Sequence, residues 1–179
     1  ALAPYDPQEA VLADATQPPS AEHLFGTDRM GRDLFSRVIY GTRTSIASTL
    51  VLVASILVVG GILGTVAGYV GGPVDALIMR VADMMVSFPG MALAIALAGI
   101  TNAILAIMAV SWTKYARLAR SLVLKTRSQD FVLAARLAGT RELDILRRYM
   151  VPSVLPTLIV TAATDVGGMM LELAGFSFL

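Results

Sequence analysis

The chain has 179 residues, 56% hydrophobic and only 15% charged, with a mean hydropathy of +0.72 and a formal net charge of +1. A soluble domain carries about 25% charged residues, so this composition excludes an ordinary water-soluble globule and indicates an integral membrane protein. Cysteine is absent, which excludes disulfides and thiolate metal sites.

Residues 1 to 28 hold Asp6, Glu9, Asp14, Glu22 and Asp28 and no Lys or Arg. "ALAPYDPQEAVLADATQPPS" lacks the basic start and apolar run of a signal peptide and reads as an extended, Pro-rich segment. The lone histidine, His23, suits a turn contact better than a metal site. In "MGRDLFSRVIYGTRTS", Leu34, Phe35, Val38 and Ile39 share one helical face. Two readings are open: an amphipathic helix lying at an interface, or the first turns of the next span. Residues 1 to 43 are assigned to this extracytoplasmic segment and 44 to 179 to a transmembrane domain.

No charge occurs from Thr44 to Val74. One crossing of about 30 Å of hydrocarbon needs roughly 20 residues, so this run holds one span, over about residues 46–70. Gly60, Gly64 and Gly68 recur every four residues and line one face. Small residues there let a second helix approach closely, because lipid supplies no hydrophobic drive to helix pairing. "GYVGGPVD" ends the helix. Arg80 and Asp83 sit at the next boundary, as part of a gate or as a plain ion pair.

The second uncharged run, Met84 to Thr113, is long for one helix and short for two. Two crossings, over about 84–100 and 101–124, are expected, with residues missing around Gly99 to Asn102. A cytoplasmic segment follows over 125–152 and a last span over 153–179, interrupted by Asp165 and Glu172. The ending "GFSFL" has no polar flank, and a truncated C-terminus is expected. Nine of the fourteen Lys and Arg residues lie from Lys114 to Arg148. This end is therefore cytoplasmic, and the acidic N-terminal segment lies outside. Arg29, Arg32, Arg37 and Arg43 break the rule; snorkelling from an interfacial helix is the expected explanation.

Within the cytoplasmic segment, "DFVLAARLAG" is helical in pattern and Gly139 marks a break. "TRELDILRRYM" then restarts, with Thr140 as the candidate cap and Leu143, Leu146 and Met150 on one face. Two short helices with a corner between them form an elbow, small at Ala134, Ala135, Ala138 and Gly139. A partner's groove could close over it, with Arg136 and Arg141 meeting acids there; an amphipathic linker lying on the bilayer is the other reading.

Residues 133 to 152 resemble the EAA loop of the inner-membrane subunits of ATP-binding cassette importers: Glu-Ala-Ala, three residues, Gly, nine residues, Ile-x-Leu-Pro. Ala134, Ala135, Gly139 and Pro152 match, while Leu133 replaces the Glu, and Tyr149 and Val151 replace the Ile and Leu. "HLFGTDRMGRDLFSRVIYGTRTSI", "YVGGPVDALIMRVADMMVSFPG", "WTKYARLARSLVL" and "GFSFL" resemble segments of the dipeptide, oligopeptide and nickel permeases. The similarity runs from His23 to Leu179, and "TDVGGMMLELAGFSFL" looks closer to the nickel permeases.

The resemblance implies an all-α, polytopic transmembrane bundle of the type I ABC importer permease kind, multi-pass in the cytoplasmic membrane. It implies a second homologous permease subunit, two ATP-binding cassette ATPase subunits and an extracytoplasmic solute-binding protein as partners, with membrane lipid around them and no nucleic acid. ATP and Mg²⁺ would bind the ATPases, since this chain has no Gly-x-x-x-x-Gly-Lys loop and needs no cofactor of its own. Ala134, Ala135, Arg136, Gly139, Thr140 and Arg141 would couple to an ATPase. The expected function is uptake of nickel or a nickel chelate; a dipeptide or oligopeptide permease of the same build and a non-transporting membrane scaffold are the alternatives.

A carboxylate within the bilayer usually faces a cavity or a partner. Asp165, Met169 and Glu172 share one helical face and are candidates for a translocation path. The alternative is structural: Asp165 pairing with an Arg or a backbone amide across the permease interface, and Glu172 near the outer surface. No firm metal site is expected, because a lasting nickel site prefers imidazole donors.

Overall fold

The computed structural model describes residues 3–88, 92, 96 and 103–178. Among these the chain is helical wherever it is regular, apart from one isolated bridge between Thr27 and Asp33. It divides into two compact units, Ala1–Ser48 and Thr49–Leu179.

In the N-terminal unit the Pro-rich segment forms turns and one short 3₁₀ turn, Leu12–Asp14. Asp28 organises its loop. Its carboxylate accepts the backbone N–H groups of Met30 (2.8 Å) and Arg32 (3.0 Å) and pairs with Arg32 Nε (2.9 Å) and with Arg37. Burial pushes this carboxyl up, but the two backbone donors and the Arg32 guanidinium outweigh it and hold Asp28 at about 2. Arg32 and Arg37 thus share one local acid, Asp28.

His23 is a turn residue: Nδ1 lies 3.0 Å from Asp33 Oδ1, and the ring packs on Tyr5. Asp33 also accepts the Ser36 N–H at 2.7 Å, an N-cap that starts helix α1, Leu34–Val70. The helix that begins at Leu34 runs without a break to Val70. The inward residue in these first turns is Ser36, whose hydroxyl accepts the Tyr5 N–H, while Leu34 and Val38 are exposed.

In the second unit α1 ends where Gly71 takes φ +71°, a left-handed conformation that L side chains resist. Helix α2, Gly72–Ser87, starts at once, with Pro73 in its first turn and Asp75 complementing its N-terminus. Helix α3 is Ala103–Arg127. The elbow follows as α4, Asp130–Leu137, and α5, Glu142–Ile145. A π-turn, Leu146–Met150, leads into α6, Val151–Phe178. The π-turn ends two residues before Pro152, which cannot bond back to residue 148 and whose ring would press on that carbonyl in a regular helix.

Contacts set the helix directions. Gly60, Gly64 and Gly68 of α1 lie against Trp112, Ala116 and Arg120 of α3, so these two helices run parallel. Asp75 and Asp83 of α2 meet Arg120 and Arg117, so α2 runs antiparallel to α3. Gly61 meets Leu158, and Tyr69 meets Glu142, so the chain from α5 into α6 runs antiparallel to α1. The core between them is Leu52, Ile56, Ile107, Tyr115, Val123 and Met150, joined by Val132 and Ile145 from the elbow. Two helices among the described residues are long and apolar enough to cross a membrane, Leu34–Val70 and the helix over Glu142–Phe176. The expected span over 84–100 and the expected missing stretch near Gly99 to Asn102 fall mostly or wholly outside the described residues.

Candidate functional site

The elbow is built by one backbone reversal. The Ala138 N–H bonds to the Ala134 carbonyl (2.9 Å), the Gly139 N–H to Arg136 (3.0 Å) and the Thr140 N–H to Ala135 (3.1 Å). These bonds satisfy the last carbonyls of α4, with Gly139 at φ +79°. The chain restarts at Arg141, whose carbonyl accepts the N–H groups of Asp144 and Ile145. Thr140, the expected cap, is displaced: Arg141 holds that position, and no side chain caps the helix.

The elbow has two faces. Val132, Ala135, Ile145 and Met150 point into the core, and Ala135 is only 8% exposed. Ala134, Gly139 and Arg141 are exposed, and Thr140 is half-buried. Ala135 therefore seats the elbow on its own bundle. Of the anticipated Leu143–Leu146–Met150 face, Met150 is buried and Leu146 packs against the core beside the buried Ile145, while Leu143 is exposed. Leu137 is 90% exposed and stands beside the Gly139 corner. It is an apolar knob that sequence reading passed over, because its helical position alone does not show that no neighbour covers it.

Arg136 is already engaged. Its Nε and Nη2 lie 3.2 and 3.3 Å from the Glu142 carboxylate, across the corner. Tyr69, at the end of α1, donates to the Glu142 carbonyl at 3.0 Å and also reaches its carboxylate. The elbow is thereby tied to the end of the glycine-striped helix.

That helix lies tightly on α3. A Cβ at Gly60 would come 2.5 Å from the Trp112 carbonyl oxygen, and one at Gly68 would lie 2.9 Å from that of Arg120. At Gly64 it would run into the Ala116 backbone. Backbone-to-backbone approach of this kind is what glycine permits in a membrane bundle.

Helix α3 also carries three cations at three-residue steps, each matched by an acid on another helix. Lys114 Nζ sits 2.8 and 2.6 Å from the two oxygens of Asp165, which also accepts the Tyr115 hydroxyl at 2.9 Å. Arg117 lies 2.8 Å from Asp83, and Arg120 grips Asp75 with two bonds of 2.5 Å. Paired charge is the affordable form of charge among membrane helices. Two expectations change here. Asp83 pairs with Arg117, not Arg80, and Asp165 pairs with a lysine and a tyrosine of its own chain. Met169 is half-buried against the core, and Glu172 is exposed. Sequence reading grouped Lys114, Arg117 and Arg120 with the cytoplasmic charge; their i, i+3, i+6 spacing was the signal that they share a helix side.

Residues 60–179 match the family model described as "Binding-protein-dependent transport system inner membrane component". The chain is 42% identical, over 98% of its length, to the nickel transport system permease protein NikC of Escherichia coli strain K12, covering 65% of that protein. It is 42% identical over 99% of its length to the probable D,D-dipeptide transport system permease protein DdpC of the same strain, covering 61%. Against the dipeptide transport system permease protein DppC of Alkalihalophilus pseudofirmus it is 40% identical over 91% of its length, covering 55%. The chain thus spans less than two thirds of the length of these relatives. The chain belongs to the family of binding-protein-dependent transport system inner membrane components.

Proposed function

We propose that this chain forms the transmembrane part of a permease subunit in an ATP-driven importer that takes up nickel or a nickel chelate. The observation that carries the reading is the 42% identity, over 98% of this chain, to a protein named as a nickel permease. An equal identity to a D,D-dipeptide permease supports a second reading, with a short peptide as cargo. In either case the chain supplies the path and the lever, and nucleotide chemistry belongs to ATPase partners.

In the proposed mechanism the exposed face of the elbow, with Ala134, Leu137, Gly139 and Arg141, seats in a cleft of an ATPase subunit. Closure of the ATPase pair pushes the elbow. The Arg136–Glu142–Tyr69 link passes that displacement to α1, and the stripe of Gly60, Gly64 and Gly68 passes it to α3. Packed helices of this kind move as rigid bodies between discrete arrangements. Asp165, Met169 and Glu172 are the proposed path residues; for Asp165 to meet cargo, Lys114 must first release it.

The deciding experiment measures uptake of radioactive nickel and of a labelled dipeptide in parallel, by the assembled complex with its binding protein. Nickel uptake alone supports the first reading and peptide uptake alone the second. Uptake of neither, with the complex intact and hydrolysing ATP, removes both.

A further inference from the structure

An apolar groove of about 420 Å³ runs between α1 and the start of α6, lined by Leu57, Val58, Gly61, Leu146, Val151 and Leu158 among others. Thr65 is the only lining residue with a polar side chain. The groove extends from Leu57 to Val66 on α1, about 14 Å at 1.5 Å per residue, which matches a partial acyl chain rather than a compact solute. Its Leu146 end lies in the π-turn beside the elbow, and there the chemistry changes sign. Arg147 and Arg148 follow Leu146 directly, and both are exposed. Arg147 precedes the lining residues Val151, Val154 and Leu158 by four, seven and eleven positions, so the helical repeat sets it in line with the groove. Neither guanidinium has an ion-pair partner among the described residues, whereas Lys114, Arg117 and Arg120 of α3 each have one. Asp144, the nearest acid in sequence, forms no ion pair there.

We propose that this groove is a binding site for an anionic glycerophospholipid of the cytoplasmic leaflet. One acyl chain lies along Leu57, Gly61 and Leu158, and the phosphate is held by Arg147 and Arg148. An apolar slot takes hydrocarbon without directional contacts, while a planar guanidinium holds phosphate oxygens through paired N–H donors. Charge complementarity selects a lipid over a further protein helix: a helix seated here would leave two unpaired arginines at its end. The assignment rests on the membrane reading of the chain and is independent of what is transported.

The test is native mass spectrometry of the full chain, delipidated in detergent and titrated with phosphatidylglycerol, phosphatidylcholine of the same acyl chains, or glycerol phosphate. Phosphatidylglycerol is expected to bind at least tenfold more tightly than phosphatidylcholine, with no retention of glycerol phosphate. The Arg147→Gln/Arg148→Gln variant should lose that preference. Gly61→Leu, which fills the groove and leaves the arginines in place, should lose both lipids; Val58→Trp, at an exposed lining position, serves if Gly61→Leu does not fold. Equal binding of the two lipids, or retention of phosphatidylglycerol unchanged in the arginine variant, overturns the assignment. So does indifference of binding to groove filling, the result expected if a protein helix occupies the slot. Nickel or peptide uptake reads a separate property, so failure here leaves the transport reading standing and the converse also holds.

Discussion

Tyr69 and Glu142 are 73 residues apart in the chain, yet the Tyr69 hydroxyl donates to the Glu142 backbone carbonyl at 3.0 Å and reaches its carboxylate as well. This contact fastens the elbow to the end of α1. A hydrogen bond to a charged group contributes about 1.5–3 kcal/mol and a neutral one about 1 kcal/mol; solvent at this exposed site favours the lower figure. Tyr69→Phe should therefore speed amide exchange at Asp144 and Ile145 by about fivefold, with α3 unchanged. Hydrogen exchange with mass spectrometry reads this directly, and unchanged exchange in the elbow would show that Tyr69 does not anchor it.

The glycine stripe makes a position-specific prediction. Gly64→Ala drives a Cβ into the Ala116 backbone, which cannot rotate away, whereas Gly61→Ala meets only the flexible end of Leu158 at 3.4 Å. Overpacking costs about 1–3 kcal/mol, so Gly64→Ala should lower the melting temperature clearly and Gly61→Ala barely. Equal effects in a thermal-shift assay would refute close α1–α3 packing.

The Lys114–Asp165 pair should behave as a coupled unit. Removing one partner leaves the other charge unpaired among helices, and breaking a buried pair costs about 3–5 kcal/mol. Lys114 is more than half exposed, so about 1–2 kcal/mol is expected for Lys114→Met or Asp165→Asn alone. The double variant should cost less than the two losses added together. Additive losses in a double-mutant cycle would mean that the contact contributes nothing.

The N-terminal unit should carry an acid-labile loop. Asp28 titrates in the folded loop at about 2, below its ordinary 3.8. A depressed carboxyl contributes stability that is complete above its unfolded pKa and is lost as pH falls through the folded one. Pepsin should therefore spare the Leu24–Phe25 bond near pH 4 and cut it increasingly toward pH 2. Asp28→Asn, which lacks the titrating group, should be cut at both pH values. Cleavage of the unaltered protein that does not change across this window would sink the role given to Asp28.

Leu137 separates docking from folding. At 90% exposure it contributes little to the fold, so Leu137→Asp should change stability by no more than about 0.5 kcal/mol. In the proposed assembly it should nonetheless weaken association with the ATPase subunits at least tenfold. Co-purification with tagged ATPase tests this, with Val132→Asp, at a buried elbow position, as the contrasting variant that should fail to fold.

The membrane class, the apolar span after Thr44, the glycine stripe and the break at Gly139 were all legible in the linear sequence. Each rests on composition or on a local period: an uncharged run, a four-residue repeat, one residue able to adopt positive φ. The family was legible too, because its motifs are short and contiguous. Tertiary structure alone decided the partners. Nothing local tells Asp165 that Lys114 is its counterion, Asp83 that it faces Arg117 and not Arg80, or Arg136 that Glu142 waits across the corner. Nor does a helical period say which of Ala134 and Ala135 turns inward, since a short amphipathic helix is oriented by what it packs against. Charge pairing and burial depend on distances between segments far apart in the chain, and those distances exist only once the helices are assembled.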